Sequence, residues 1–175
     1  MSQDLEAVEA IEPRHFPLGF WRNPIHHLAF GFGSGLAPRG PGTAGTLVAV
    51  FLFWGLLQYL SFNNLLLVVA LAFVAGVGIC GVASKRLGVE DHPGIVWDEF
   101  VGYWLTMCFA PPGFFWMLVG FVVFRFFDIL KPWPISWIDR RVSGGLGIML
   151  DDLLAGAYAG LLVLALAYSG TLDYF

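Results

Sequence analysis

The stretch IVWDEFVGYW, residues Ile95 to Trp104, decides how this chain is read. Asp98 and Glu99 stand side by side in it, and the eleven residues that follow, Phe100 to Ala110, carry no charge. Ionisable groups in such a segment are costly and mark function when the surroundings are a bilayer. The composition points to one. Of 175 residues, 58% are hydrophobic and 13% charged, with 17 Phe and 7 Trp, and the mean hydropathy is +0.74. A soluble domain carries about 25% charged residues.

Working outward, the chain divides into five apolar segments: Thr46–Leu60, Leu65–Ala83, Phe100–Ala110, Phe114–Leu130 and Leu153–Ser169. A spanning helix needs about 20 apolar residues. Phe100–Ala110 reaches that length only if Ile95–Glu99 join its helix, and the third and fourth segments are alternatively a re-entrant pair around Pro111-Pro112-Gly113. The expected fold is an all-α transmembrane bundle of about five helices. Residues 1–20 read as an acidic, loosely ordered cytosolic tail and 21–175 as a single transmembrane catalytic domain. Asp4, Glu6, Glu9 and Glu12 with no early Lys or Arg are the reverse of a signal peptide's basic start.

The basic residues set an orientation. Arg14, Arg22 and Arg39 precede the first segment, and Lys85 and Arg86 follow the second. Arg125 lies near the end of the fourth, followed by Lys131, Arg140 and Arg141. These are all nine basic residues, and five crossings put every one of them on the same face. The positive-inside rule then makes the N-terminus cytoplasmic and the C-terminus external. Asp98 and Glu99 fall on that cytoplasmic face, about one turn inside a helix start, where the helix dipole favours them.

Three segments bring acid to this level: Asp98 and Glu99 from the third, Asp128 from the fourth, Asp151 and Asp152 from the fifth. Five carboxylates without as many cations repel one another. An oxygen-only ligand set of this kind suits Mg²⁺ or Mn²⁺. A bland alternative is helix capping and ion pairing, with Asp128 three residues from both Arg125 and Lys131. The acids nominated for catalysis are Asp98, Asp128 and Asp152, with His92 in the loop before the third segment as a general acid. The metal set is Asp98, Glu99, Asp128, Asp151 and Asp152.

The glycine-rich run GFGSGLAPRGPGTAGT, Gly31–Thr46, leads into the first helix. It is neither a Walker A nor a dinucleotide-binding motif. Free N–H groups at a helix start bind anions. Arg39, Gly42, Thr43 and Thr46, with Arg125 and Lys131, are therefore the phosphate-binding candidates. Cys80-GVASK-Arg86 mimics the Cys-x5-Arg loop of thiol phosphatases, but an apolar helix would suppress the thiolate that chemistry requires. Cys80 and Cys108 form no CxxC and suggest no disulfide framework. His26 and His27 read as part of an interfacial segment rather than as ligands. Gly156-AYA-Gly160 reads as helix packing.

Four motifs in order, GFGSGLAPRGPGTAGTL, DHPGIVWDEFVG, FRFFDILKPWPI and GGLGIMLDDLLAG, resemble the phosphatidylglycerophosphatase A family over roughly Phe30 to Ala159. The resemblance implies a multi-pass enzyme of the bacterial inner membrane, its site facing the cytoplasm. The reaction implied is Mg²⁺-dependent conversion of phosphatidylglycerophosphate to phosphatidylglycerol. Its partners would be lipids rather than nucleic acid, and small-residue helix faces permit a homodimer. The competing reading is a small cation- or proton-coupled transporter using the acids as a path. The outer halves of the segments carry no charge to continue such a path.

Overall fold

A tryptophan, a tyrosine, a second tryptophan and a threonine on one short helix organise the bundle. In the computed structural model, which describes residues 16–170, that helix is Trp97–Cys108. The helices run α1 (Pro24–Ala29), α2 (Pro41–Gly55), α3 (Phe62–Leu87), α4 (Trp97–Cys108), α5 (Phe114–Leu130), α6 (Ile135–Asp139) and α7 (Gly144–Tyr168). Short 3₁₀ turns lie at Phe20–Arg22, Gly31–Leu36 and Leu57–Tyr59. The architecture is all-helical, with no strand among the described residues.

Four polar side chains of α4 each donate to a carbonyl of a different surrounding helix. Trp97 Nε1 reaches Ala72 of α3 at 3.1 Å. Trp104 Nε1 reaches Ala49 of α2 at 3.1 Å, and the Tyr103 hydroxyl reaches Met117 of α5 at 3.1 Å. Thr106 Oγ1 reaches Gly156 of α7 at 3.2 Å. A helical carbonyl has a second lone pair to offer, so these bonds add to the helix ladders without breaking them. Nearly all of α4 is consequently buried, from Asp98 through Trp104.

Its ends follow from local chemistry. The helix begins at Trp97, so Asp98 and Glu99 belong to it but Ile95 and Val96 do not. Val96 N–H instead donates to Ala29 O at 2.8 Å. Pro111-Pro112 follow its C-terminus, where proline cannot continue a helix. At 1.5 Å per residue α4 rises only about 18 Å, short of a bilayer core of about 30 Å.

Two helices, α3 and α7, are long and apolar enough to cross a membrane, and α2 is a shorter apolar helix. The apolar side chains left outside are large. Phe51, Trp54, Leu67, Leu71, Val74, Phe114, Val122, Phe126 and Leu161 are all more than half exposed. A surface this apolar exceeds what soluble monomers carry and suits lipid.

The predicted segments reappear with shifted edges. The first begins at Pro41 rather than Thr46, because Gly40 in the left-handed region and Pro41 at the first helical position start the helix earlier. The last begins at Gly144 and takes in Asp151 and Asp152. The acidic tail expected over residues 1–20 lies almost wholly outside the described residues. Within its last five, Phe20 is buried against Phe16 and Phe30.

Candidate active site

Helix α4 lies so close to α7 that only glycine fits between them. A Cβ on Gly102 would stand 2.6 Å from the carbonyl oxygen of Asp152, and one on Gly156 would press into the backbone of Gly102. Gly102 is one turn below Asp98 and Glu99, and Gly156 is one turn below Asp152. The glycine contact therefore draws the three acids together. One carboxylate oxygen from each of Asp98, Glu99 and Asp152 lies within 4.8 Å of the other two. All three residues are more than nine-tenths buried. Asp98 Oδ1, Glu99 Oε2 and Asp152 Oδ2 have no hydrogen-bond partner.

Buried polar atoms are almost always paired, and unlike-charged neighbours are the usual remedy for clustered anions. Three clustered carboxylates, each with an unpartnered oxygen, form a donor set that suits a hard cation. The fit is to an oxygen-ligated ion, since no histidine or cysteine joins the trio.

Asp128 and Arg125 stand beside it. Arg125 Nη1 is ion-paired with Asp128 one turn along α5, lies 3.7 Å from Glu99 Oε1, and is 3.5 Å from Thr46 Oγ1 of α2. Thr46 Oγ1 in turn donates to Gly42 O at 2.8 Å. A side chain on Gly42 would drive into Glu99 and meet the Arg125 guanidinium at 3.1 Å, so this glycine lets the start of α2 approach the acids. One guanidinium thus serves three neighbours, and two carboxylates, Glu99 and Asp128, share its single charge.

Asp151 points elsewhere. Adjacent helix positions differ by about 100°, and Asp151 Oδ2 accepts from Lys131 Nζ at 2.6 Å. The same ammonium donates to Asp139 Oδ1 at 2.6 Å. Lys131 caps α5 in a left-handed conformation, φ 41°, and the chain turns there so that the side chain meets α6 and α7. Burial pulls the Lys131 pKa down, but the Asp151 and Asp139 carboxylates outweigh it and hold it above the ordinary value. Asp139 was not nominated from sequence. It lies eight residues beyond Lys131 across a proline-rich turn, where no helical spacing signals a pair.

Of the remaining candidates, His92 lines a cavity of about 480 Å³ between the glycine-rich loop and the loop before α4. Its walls include Gly35, Pro38, Pro41, His92 and Gly94. Arg39 is exposed in that loop and Thr43 half-buried in the first turn of α2. His92 Nδ1 accepts the Gly94 N–H at 3.0 Å, so the neutral ring carries its proton on Nε2. Burial lowers the His92 pKa, with the nearby Asp91 carboxylate opposing it. His92 is not a member of the acid trio.

The decoys are structural. Cys80 is fully buried in α3, with its thiol 3.7 Å from Met149 Sδ. His26 is buried with Nδ1 on Phe20 O. Gly156 and Gly160 pack inside the chain, on Gly102 and Phe109 of the α4 region.

Comparison with known proteins gives the family. The family model described as Phosphatidylglycerophosphatase A matches residues 27–167. The Phosphatidylglycerophosphatase A of Escherichia coli (strain K12) is 49% identical over 158 residues, covering 87% of this chain and 91% of the relative. That of Haemophilus influenzae is 46% identical over 147 residues, covering 83% and 90%. No solved structure matches. Nothing in these comparisons supports the transporter reading.

Proposed function

Since the chain belongs to the phosphatidylglycerophosphatase A family and is a phosphatase, we propose that it hydrolyses the terminal phosphomonoester of phosphatidylglycerophosphate to leave phosphatidylglycerol. The observation that carries the site assignment is the trio of buried, unpartnered carboxylates on α4 and α7. In this reading Asp98, Glu99 and Asp152 hold Mg²⁺, with Asp128 beside them. When bound, the ion supplies charge neutralisation for a phosphomonoester dianion and an acidified water.

The chain's own residues do the rest. Arg125, held by Asp128 and Thr46, adds a fixed positive charge where phosphate oxygens would sit. The N-terminus of α2 offers the free N–H groups of Gly42 and Thr43, and exposed Arg39 attracts the anionic headgroup from solution. In its protonated form His92 is the proton donor to the departing alkoxide, and on giving up the proton it returns to the neutral ring that accepts the Gly94 N–H.

The exposed apolar surface supports placing the five longer helices in a bilayer, with α4 enclosed by the other four. The one-sided basic residues support a cytoplasmic N-terminus, an external C-terminus and a site open to the cytoplasmic leaflet of a bacterial inner membrane. The test is phosphate release from phosphatidylglycerophosphate by the purified protein, with Mg²⁺ and with EDTA. Release that stops with EDTA is expected. Release indifferent to EDTA would remove the ion from the site.

A further inference from the structure

Asp151 is buried to the same degree as the trio, at 6% exposure, yet it serves a different space. It lines a cleft of about 380 Å³ together with Glu90, Asp91, Asp139, Arg140 and Arg141. Asp151 Oδ2 is taken by Lys131, while Oδ1 has no partner. We infer that this cleft is a headgroup subsite for a hydroxyl-bearing phosphate ester, in which Asp151 accepts a hydroxyl of the substrate's glycerol and the arginines face its phosphodiester. The inference rests on the proposed reaction and names what distinguishes its substrate from other lipid phosphates.

The chemistry of the cleft selects this ligand class. A metal is disfavoured because Lys131 already bridges Asp139 and Asp151, and among the described residues only the trio gathers at ligand spacing. A buried acceptor with a free lone pair calls for a donor, and a neutral hydroxyl donates without adding charge. Arg140 and Arg141 are exposed at the opening. The Arg141 guanidinium lies 4.8 Å from the centre of the Trp137 ring, which positions a planar fork suited to phosphate. Glu90 and Asp91 oppose a second dianion, so a monoanionic diester is preferred there. Asp151 directly precedes Asp152, so one headgroup can place its terminal phosphate at the trio and its glycerol in the cleft.

The experiment compares two lipid phosphomonoesters in mixed micelles with Mg²⁺: phosphatidylglycerophosphate, and phosphatidic acid, which lacks the headgroup glycerol. Wild-type protein is expected to favour the first. Asp151→Asn is expected to lower kcat/KM for it about tenfold, mainly through KM, with a much smaller loss on phosphatidic acid. Glycerol phosphate as a competitive inhibitor should weaken in the variant, and inorganic phosphate should not. Equal losses on both lipids, or no loss, would overturn the inference. Should Asp151→Asn not fold, Arg141→Gln at the rim makes the same comparison with the same expected direction. A wild-type protein that released phosphate from neither lipid would overturn the reaction itself, and the subsite with it.

Discussion

Asp151 and Asp152 are neighbours in the chain and sit in two electrostatically opposite places. Around Asp152 three carboxylates meet with oxygens left unpaired and their one guanidinium shared. Around Asp151 an ammonium is held between two carboxylates at 2.6 Å. The second arrangement is nearly balanced, because Lys131 answers both carboxylates and leaves only Asp151 Oδ1 open. The first is not, and the fold keeps it by forcing α4 and α7 together on Gly102 and Gly156. A mismatch maintained by packing is a mark of a binding site rather than of a stabilising ion pair.

The sharpest way to break the contrast is to neutralise the unmatched side. Asp152→Asn removes one of the like charges, so phosphate release should fall by about three orders of magnitude. Its melting temperature without divalent cations should rise, since a repulsive buried charge is gone. Mg²⁺ should raise the melting temperature of the wild type and not of the variant. A variant that lost activity and stability together would mean the acid was structural.

Next in size is the packing that creates the mismatch. Gly102→Ala places a methyl against the Asp152 carbonyl and the Phe124 ring. Overpacking of this kind costs about 1–3 kcal/mol, and separating the helices should cost about a hundredfold in activity. Thermal melting and phosphate release measured together check it. Normal activity would show that the trio does not depend on this contact.

On the matched side, loss of the shared ammonium should show first in stability. Lys131→Met strands Asp139 and Asp151 and should lower the melting temperature. The pH dependence has a defined sign. Because the folded Lys131 pKa is raised, its contribution is complete below the unfolded value and fades only as pH climbs through the folded one. The deficit of the variant should therefore be the same at about pH 8 and about pH 9. A deficit that vanished by about pH 9 would show that the pair is weaker than its geometry.

These contrasts separate what could be read from the residues from what could not. Five apolar segments and the acids within them follow from composition and spacing, since apolar length and charge placement are local properties. The division of the acids into a trio and an ion-paired hub is not local. It depends on the rotation of α7 about its axis and on Lys131 reaching Asp139 across a turn. Gly102 did leave a trace. A glycine between bulky residues inside a helix costs about 1 kcal/mol relative to alanine, and its reason is the approach of α7. The α4 anchors Trp97, Tyr103, Trp104 and Thr106 left none, because a carbonyl acceptor on another helix has no signature in sequence.

The smallest effect is expected where a catalytic motif is imitated without its chemistry. Cys80 and Arg86 have the spacing of a thiol phosphatase loop, but that loop must wrap phosphate around a thiolate. Here both residues lie on the continuous helix α3, whose N–H groups are committed to its own ladder and cannot turn inward to a ligand. Cys80 is sealed against Met149, and the Arg86 side chain reaches the Leu18 carbonyl at 3.4 Å. Cys80→Ser should leave phosphate release within about twofold of wild type and lower stability by about 1 kcal/mol for the buried hydroxyl. Loss of activity in Cys80→Ser with an unchanged melt, alongside an active Asp152→Asn, would transfer the chemistry from the carboxylates to the thiol.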